Sequence, residues 1–254
     1  MRSWVGFVVA VALLGCDDGA AKGGAGDAAH PVASSAAPKA ETPPAPKVPD
    51  PPRAPAITVD DRGCTIDGTA FTGAEATWRD QASTLLAGKP LVAGEAVVVN
   101  VMRDTKLPKV EAIVVALTHA KAKSAVVRTP MRDQSTGELT LALEHPALPD
   151  CSAAAMIEHD GAVAVWSKAG SGAQRFARGM AGPDLTSSTE ALRKHAAGCD
   201  SPAWLLGAAD GVTWGLAFDL AMRAKGGAEA GGTLRPTEAV LMTRAPTPGR
   251  RVEE

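Results

Sequence analysis

An apolar run that turns through Ala-Asp-Gly into a helix of wide apolar face is what most constrains this chain. Residues 204–225 read WLLGAADGVTWGLAFDLAMRAK. Trp204, Leu205 and Leu206 have the look of a strand. From Val212 onward, Trp214, Leu216, Ala217, Phe218, Leu220, Ala221 and Met222 leave a narrow polar edge on a helical wheel, with Asp219 and Arg223 one turn apart. Such a helix has to lie flat against a sheet to cover its apolar face.

The same order of elements occurs earlier. Residues 57–61 and 64–72 alternate around Arg62-Gly63, which reads as a hairpin. Thr72-Gly73-Ala74-Glu75 has capping-box spacing, Trp78, Ala82, Leu85 and Leu86 share one helical face, and Gly88 is placed to close the helix in the left-handed conformation. The spacing predicts a helix over 73–87. Residues 95–102 (EAVVVNVM) are a nearly continuous β-branched run, as in a strand covered on at least one face. After the Arg103-Asp104-Thr105 turn and Pro108, the residues Val110, Ile113, Val114 and Leu117 repeat at helical spacing. Residues 124–129 and 137–143 read as two further strands.

A second pass begins with the hairpin of residues 156–168 around Gly161. Ser187-Ser188-Thr189-Glu190 follows with capping-box spacing, then Leu192 and the stop at Gly198, the 204–225 stretch, and closing strands within 233–244. Apart from a longer Gly-rich loop over 169–184, order and spacing match, as in an internal duplication. The expectation is an α+β protein of two tandem small ββαβαββ-type domains, each a mixed sheet with two helices on one face. Their bounds are 57–148 and 149–246, with 247–254 a disordered tail.

The Ala-Asp, β-branched residue, aromatic-glycine, helix, Lys-Gly-Gly order within 204–227 resembles the periplasmic domain of the ExbD/TolR family, subunits of biopolymer transport that work beside an ion-driven motor. Both passes resemble it, and together they cover about three quarters of the chain. The resemblance implies a soluble domain that dimerises and touches partner proteins or the cell wall. Two copies in one chain imply an intramolecular pseudo-dimer. Family members also carry a transmembrane helix with an aspartate that takes part in ion conduction. Neither can be read here, so the motor role is not carried over.

At the N-terminus, one arginine precedes the apolar residues 4–14. A helix of that length reaches about 16 Å against a hydrocarbon core of about 30 Å, so it suits a signal h-region rather than a spanning segment. Leu13-Leu14-Gly15-Cys16 resembles the bacterial lipoprotein signal, which implies lipidation at Cys16; an ordinary cleaved signal is the alternative. Acyl chains contribute about 0.8 kcal/mol per buried methylene and would anchor the chain to a membrane. Asp17 and Asp18 leave inner or outer membrane open. Residues 17–56 are rich in Pro, Ala and Gly and read as a disordered tether.

A net charge of -2 gives no case for nucleic acid, and aromatic residues at 4% supply no stacking platform. Cys151 and Cys199 precede strands expected side by side, so they are the expected disulfide, with Cys64 an inert core residue. His30, His119, His145, His159 and His195 show no zinc spacing, and no nucleophile elbow, phosphate loop or dinucleotide fingerprint occurs. No catalytic residue, metal or cofactor is therefore expected. Asp104 and Asp210 stand in corresponding strand-to-helix turns, where helix capping and a partner contact are the two readings. The functional expectation is a non-enzymatic lipoprotein on the periplasmic face of the cell envelope. It would bind an envelope protein or peptidoglycan, as an accessory to a transport complex. A periplasmic receptor for a small ligand is the rival.

Overall fold

A computed structural model describes residues 53–170, 172–226 and 235–253. The expected signal, Cys16 and all but the last four residues of the expected tether lie outside the described residues. The folded residues belong to one compact unit.

The first half runs β1 (Ile57–Val59), β2 (Gly63–Ile66), β3 (Thr69–Thr72), α1 (Glu75–Ala87), β4 (Ala96–Val101), α2 (Leu107–His119), β5 (Ser124–Pro130) and β6 (Thr136–Ala142). The second runs β7 (Ala153–Ile157), β8 (Val163–Ser167), β9 (Gln174–Phe176), α3 (Leu185–Ala197), β10 (Trp204–Ala208), α4 (Trp214–Gly226) and β11 (Ala239–Leu241). The result is mixed α+β, as expected, with four helices among the described residues.

The expectation of a separate sheet in each unit gives way to one sheet of 11 strands, ordered β3-β2-β1-β4-β5-β6-β11-β10-β7-β8-β9. The edge of β6 is taken up by β11, in parallel, at Leu141 and Ala239. An unpaired strand edge is costly to leave among buried side chains, and this pairing removes two of them. β6 thereby becomes the central strand, with five strands on either side.

Around β6 the pairing repeats register for register. β1 pairs β4 in parallel through Ile57↔Val99 and Val59↔Val101, and β7 pairs β10 through Ala155↔Leu206 and Ile157↔Ala208. β4 pairs β5 through Val97↔Ala125 and Val99↔Val127, and β10 pairs β11 through Trp204↔Ala239 and Leu206↔Leu241. Counting the two stretches in step takes Val97 to Trp204, Leu107 to Trp214 and His119 to Gly226. In each half the two parallel connections step the same way along the sheet. The right-handed crossover rule then puts their helices on a single face, over a core that includes Ile57, Val99, Leu141, Leu206 and Trp214.

Three local expectations change. The run 64–72 is two strands, because Asp67 (φ 48°) and Gly68 (φ 83°) make a two-residue hairpin turn of the type that Asp-Gly favours. Neither capping box forms. Thr72 pairs within β3 while α1 starts after Ala74 without a side-chain cap; α3 is capped by Asp184, whose carboxylate accepts from the Ser187 N–H at 3.0 Å. Gly88 closes α1 in right-handed backbone (φ -85°).

The tail expected to be disordered is packed. Val252 is 3% exposed, its N–H donates to Lys168 O at 3.0 Å, and the Trp166 indole donates to Arg250 O at 3.1 Å. The physical reason is Trp166: a large ring on the sheet face away from the helices needs both a cover and an acceptor.

Candidate functional site

The two strand-to-helix turns, residues 102–106 and 209–213, meet over the middle of the sheet. They exchange backbone hydrogen bonds reciprocally: Leu107 N–H donates to Val212 O at 3.1 Å, and Trp214 N–H to Thr105 O at 2.7 Å. Lys106 and Thr213, equivalent residues, form an antiparallel bridge. Each turn is built alike, with Met102 N–H on Val59 O and Ala209 N–H on Ile157 O. Gly215 permits the approach. A Cβ there would stand 2.8 Å from Arg103 O and 2.9 Å from Arg103 Cβ, inside any real contact.

Side chains lock one flank of this junction. The Arg103 guanidinium donates to Asp219 Oδ2 at 2.6 Å and to Gly215 O at 3.2 Å, and the ends of this pair are 25% and 15% exposed. Asp219 stands one turn from Arg223 in the sequence; its partners are Arg103 and, at 3.4 Å, the exposed Arg132, both far away in the chain. Trp214, fully buried, donates its indole N–H to Thr129 Oγ1 on β5 at 2.7 Å. Phe218 packs beside it at 5.9 Å between ring centroids.

Asp104 and Asp210 both lie in these turns and both are exposed. Neither carboxylate accepts a hydrogen bond among the described residues, and α2 begins after Lys106 with no side-chain cap. The capping reading therefore loses its basis.

Beside the junction, α4, the start of α3 and the β5–β6 turn enclose an open groove of ≈ 1160 Å³. Met131, Leu185, Leu216 and Met222 supply its apolar surface, and charges of both signs its rim. Several of those charges already have structural work. Asp184 caps α3, and its hydrogen bonds from Ser187 hold its carboxyl below the usual range. Arg193 donates to the last carbonyls of α4, at Ala224 and Arg223. Sequence reasoning missed this groove, because its parts come from three separated segments.

Cys151 and Cys199 meet as expected, their Sγ atoms 2.06 Å and their Cα atoms 5.6 Å apart, at the starts of the neighbouring parallel strands β7 and β10. Cys64 is buried in β2. Burial first, and then the charge of Asp60, push its thiol up to about 12, which leaves it protonated and unreactive. His119 and His195 stand in the last turns of α2 and α3. No cluster of His, Cys, Asp and Glu fit for a metal occurs among the described residues, and none of their helices is long and apolar enough to cross a membrane.

No protein-family model matches this chain, and neither a curated protein nor a solved structure does.

Proposed function

We propose that the chain is a non-enzymatic lipoprotein of the cell envelope, held to a membrane through lipid on Cys16. In this reading residues 57–148 and 149–246 are tandem ExbD/TolR-like units, copies of one ancestral fold joined as a pseudo-dimer. They serve as a docking module for an envelope protein or peptidoglycan beside an ion-driven transport complex. The observation that carries the reading is the reciprocal junction, where equivalent residues of the two units exchange equivalent backbone bonds. An isologous contact of that kind is how two copies of one fold associate. Asp104 and Asp210, exposed in the paired turns, are the charges that such a module presents to its partner.

Crosslinking in cells followed by purification from solubilised membranes tests it. One envelope protein, or peptidoglycan, should copurify with the native chain and be lost from the Asp104→Lys, Asp210→Lys variant; recovery of neither defeats the docking reading. A Cys16→Ser chain should leave the membrane fraction.

The groove beside α4 favours a second reading, a receptor for a small ligand, since its volume and mixed lining suit one. A metabolite screen by thermal shift separates the two: a saturable rise lost in Leu216→Arg supports the receptor.

A further inference from the structure

Two residues break local rules at the same place. Leu91 is large and apolar but 47% exposed, and its backbone is left-handed at φ 57°. Lys121 follows the end of α2 in the same conformation, at φ 59°, where glycine is the cheap choice. A bulky side chain in that region is costly, and an apolar one left in water forgoes its burial as well. Such conflicts gather where a chain has to present a side chain. Hydrogen bonds join the two into one surface: Gly94 N–H donates to Lys121 O at 2.7 Å, and Lys123 N–H to Glu95 O at 2.9 Å. Lys89 is paired with Asp67 at 2.7 Å, and Asp67 accepts from Ala56 N–H at 2.9 Å. These two partners hold the Asp67 carboxyl below its usual range, and the charge of Arg53 adds to them. Leu91 thus stands among Arg53, Lys89, Lys121 and Lys123. The acids of this surface are Asp67, Glu95 and Glu144, whose N–H donates to Lys123 O. All of it lies where β4 and β5 begin, with Ala96 opposite Ser124. Asp104 follows the other end of β4, about 20 Å away along its six residues.

We infer that this end of the sheet docks on a phospholipid surface with anionic headgroups. Leu91 enters among the headgroups, and the exposed Arg53, Lys121 and Lys123 meet their phosphates. The inference rests on the lipoprotein reading, which supplies the membrane. The described chain begins at Arg53, within this surface, so residues 17–52 join it on the side that a lipid on Cys16 would hold. A contact that is weak by itself then suffices, because the anchor keeps the folded unit beside the bilayer. The paired turns with Asp104 and Asp210 are left facing away from the membrane, toward a partner.

Residues 50–254 form one compact unit that holds every described strand and helix, so they fold without the segment that carries Cys16. Sedimentation of this unit with vesicles at low ionic strength tests the docking. It should partition onto phosphatidylglycerol vesicles and not onto phosphatidylcholine ones. Lys121→Asn and Lys123→Gln should each weaken the partitioning about fivefold. Leu91→Asn should weaken it on the order of fivefold, since apolar surface is lost from the contact. Asparagine tolerates left-handed backbone, so neither loop is strained by it. Met180→Asn, at a methionine fully exposed at the opposite end of the sheet, should change nothing. Equal partitioning onto both vesicles, none onto either, a loss that spares Leu91→Asn, or one shared by Met180→Asn overturns the docking. Because the unit lacks Cys16, that failure leaves the lipid anchor standing, and the Cys16→Ser fractionation judges the anchor separately.

Discussion

The two halves of the sheet share a register and treat their rear faces, turned away from the helices, in opposite ways. In the first half a row in register crosses five strands: Thr65, Thr58, Asn100, Arg128 and Glu138. It is polar and open, with Asn100 and Arg128 exposed. The equivalent row in the second half is Ala164, Met156 and Gly207, continued by Met242, which bonds back to Leu206 O. All four are buried. The C-terminal segment makes the difference, with Met242 and Pro246 lying against Gly207 and Val252 closing the far end. One backbone frame thus accepts two surface chemistries, and a strand's composition reports what covers it.

The second half is also tied where the first is not, and removing the tie should have the largest effect. The disulfide closes a loop across 48 positions, for which the chain-entropy model gives about 4 kcal/mol. Cys151→Ser with Cys199→Ser should lose about that much in urea unfolding, whereas Cys64→Ala in the first half should lose much less, because only a small side chain goes. Equal losses would break the contrast.

Next in size is the cover itself. Deleting residues 247–254 uncovers Trp166, removes its acceptor at Arg250 and takes away the buried Val252 side chain. One aliphatic side chain and one hydrogen bond together suggest about 3 kcal/mol. Tryptophan emission should shift to the red, and an unshifted spectrum would mean that the tail is not what keeps Trp166 dry.

Gly215→Ala probes the junction that both halves share. Its Cβ would collide with Arg103 backbone, so the turns must separate at about 2 kcal/mol, a usual overpacking penalty. Exchange at Leu107 should quicken as well, since its bond to Val212 belongs to the same contact. A neutral substitution would show the turns to be looser than their geometry.

Local order was legible in the sequence because it is set by neighbours in the chain. The periodicity of Val110, Ile113, Val114 and Leu117 marks a buried helix face, and all four are buried. The cysteine pair followed from the expectation that β7 and β10 start side by side. The turn at Asp67-Gly68 escaped, since alternation continues through a two-residue hairpin, and β9 was hidden in a glycine-rich stretch. The sharing of β6 could not be read at all. Which strand fills an open edge depends on distant segments, and β6 and β11 share a single registered pair. The junction escaped for the same reason: Arg103 carries no local sign that its carboxylate is Asp219.

The smallest effect should come from the open row, and it sharpens the comparison most. Arg128 and Glu138 pair at 2.7 Å with their side chains 46% and 50% exposed, so water screens the attraction and both long chains lose freedom in making it. Arg128→Ala should therefore move the unfolding free energy by about 0.5 kcal/mol or less. The equivalent position in the second half is Met242, 7% exposed, whose Cε methyl lies against Gly207. Met242→Ala should cost about 2 kcal/mol or more, because buried methylenes are lost and a cavity remains. If the two substitutions cost the same, then the first half's rear face is covered in solution as the second half's is, and the polar row would be the inner surface of a contact and not a solvated one.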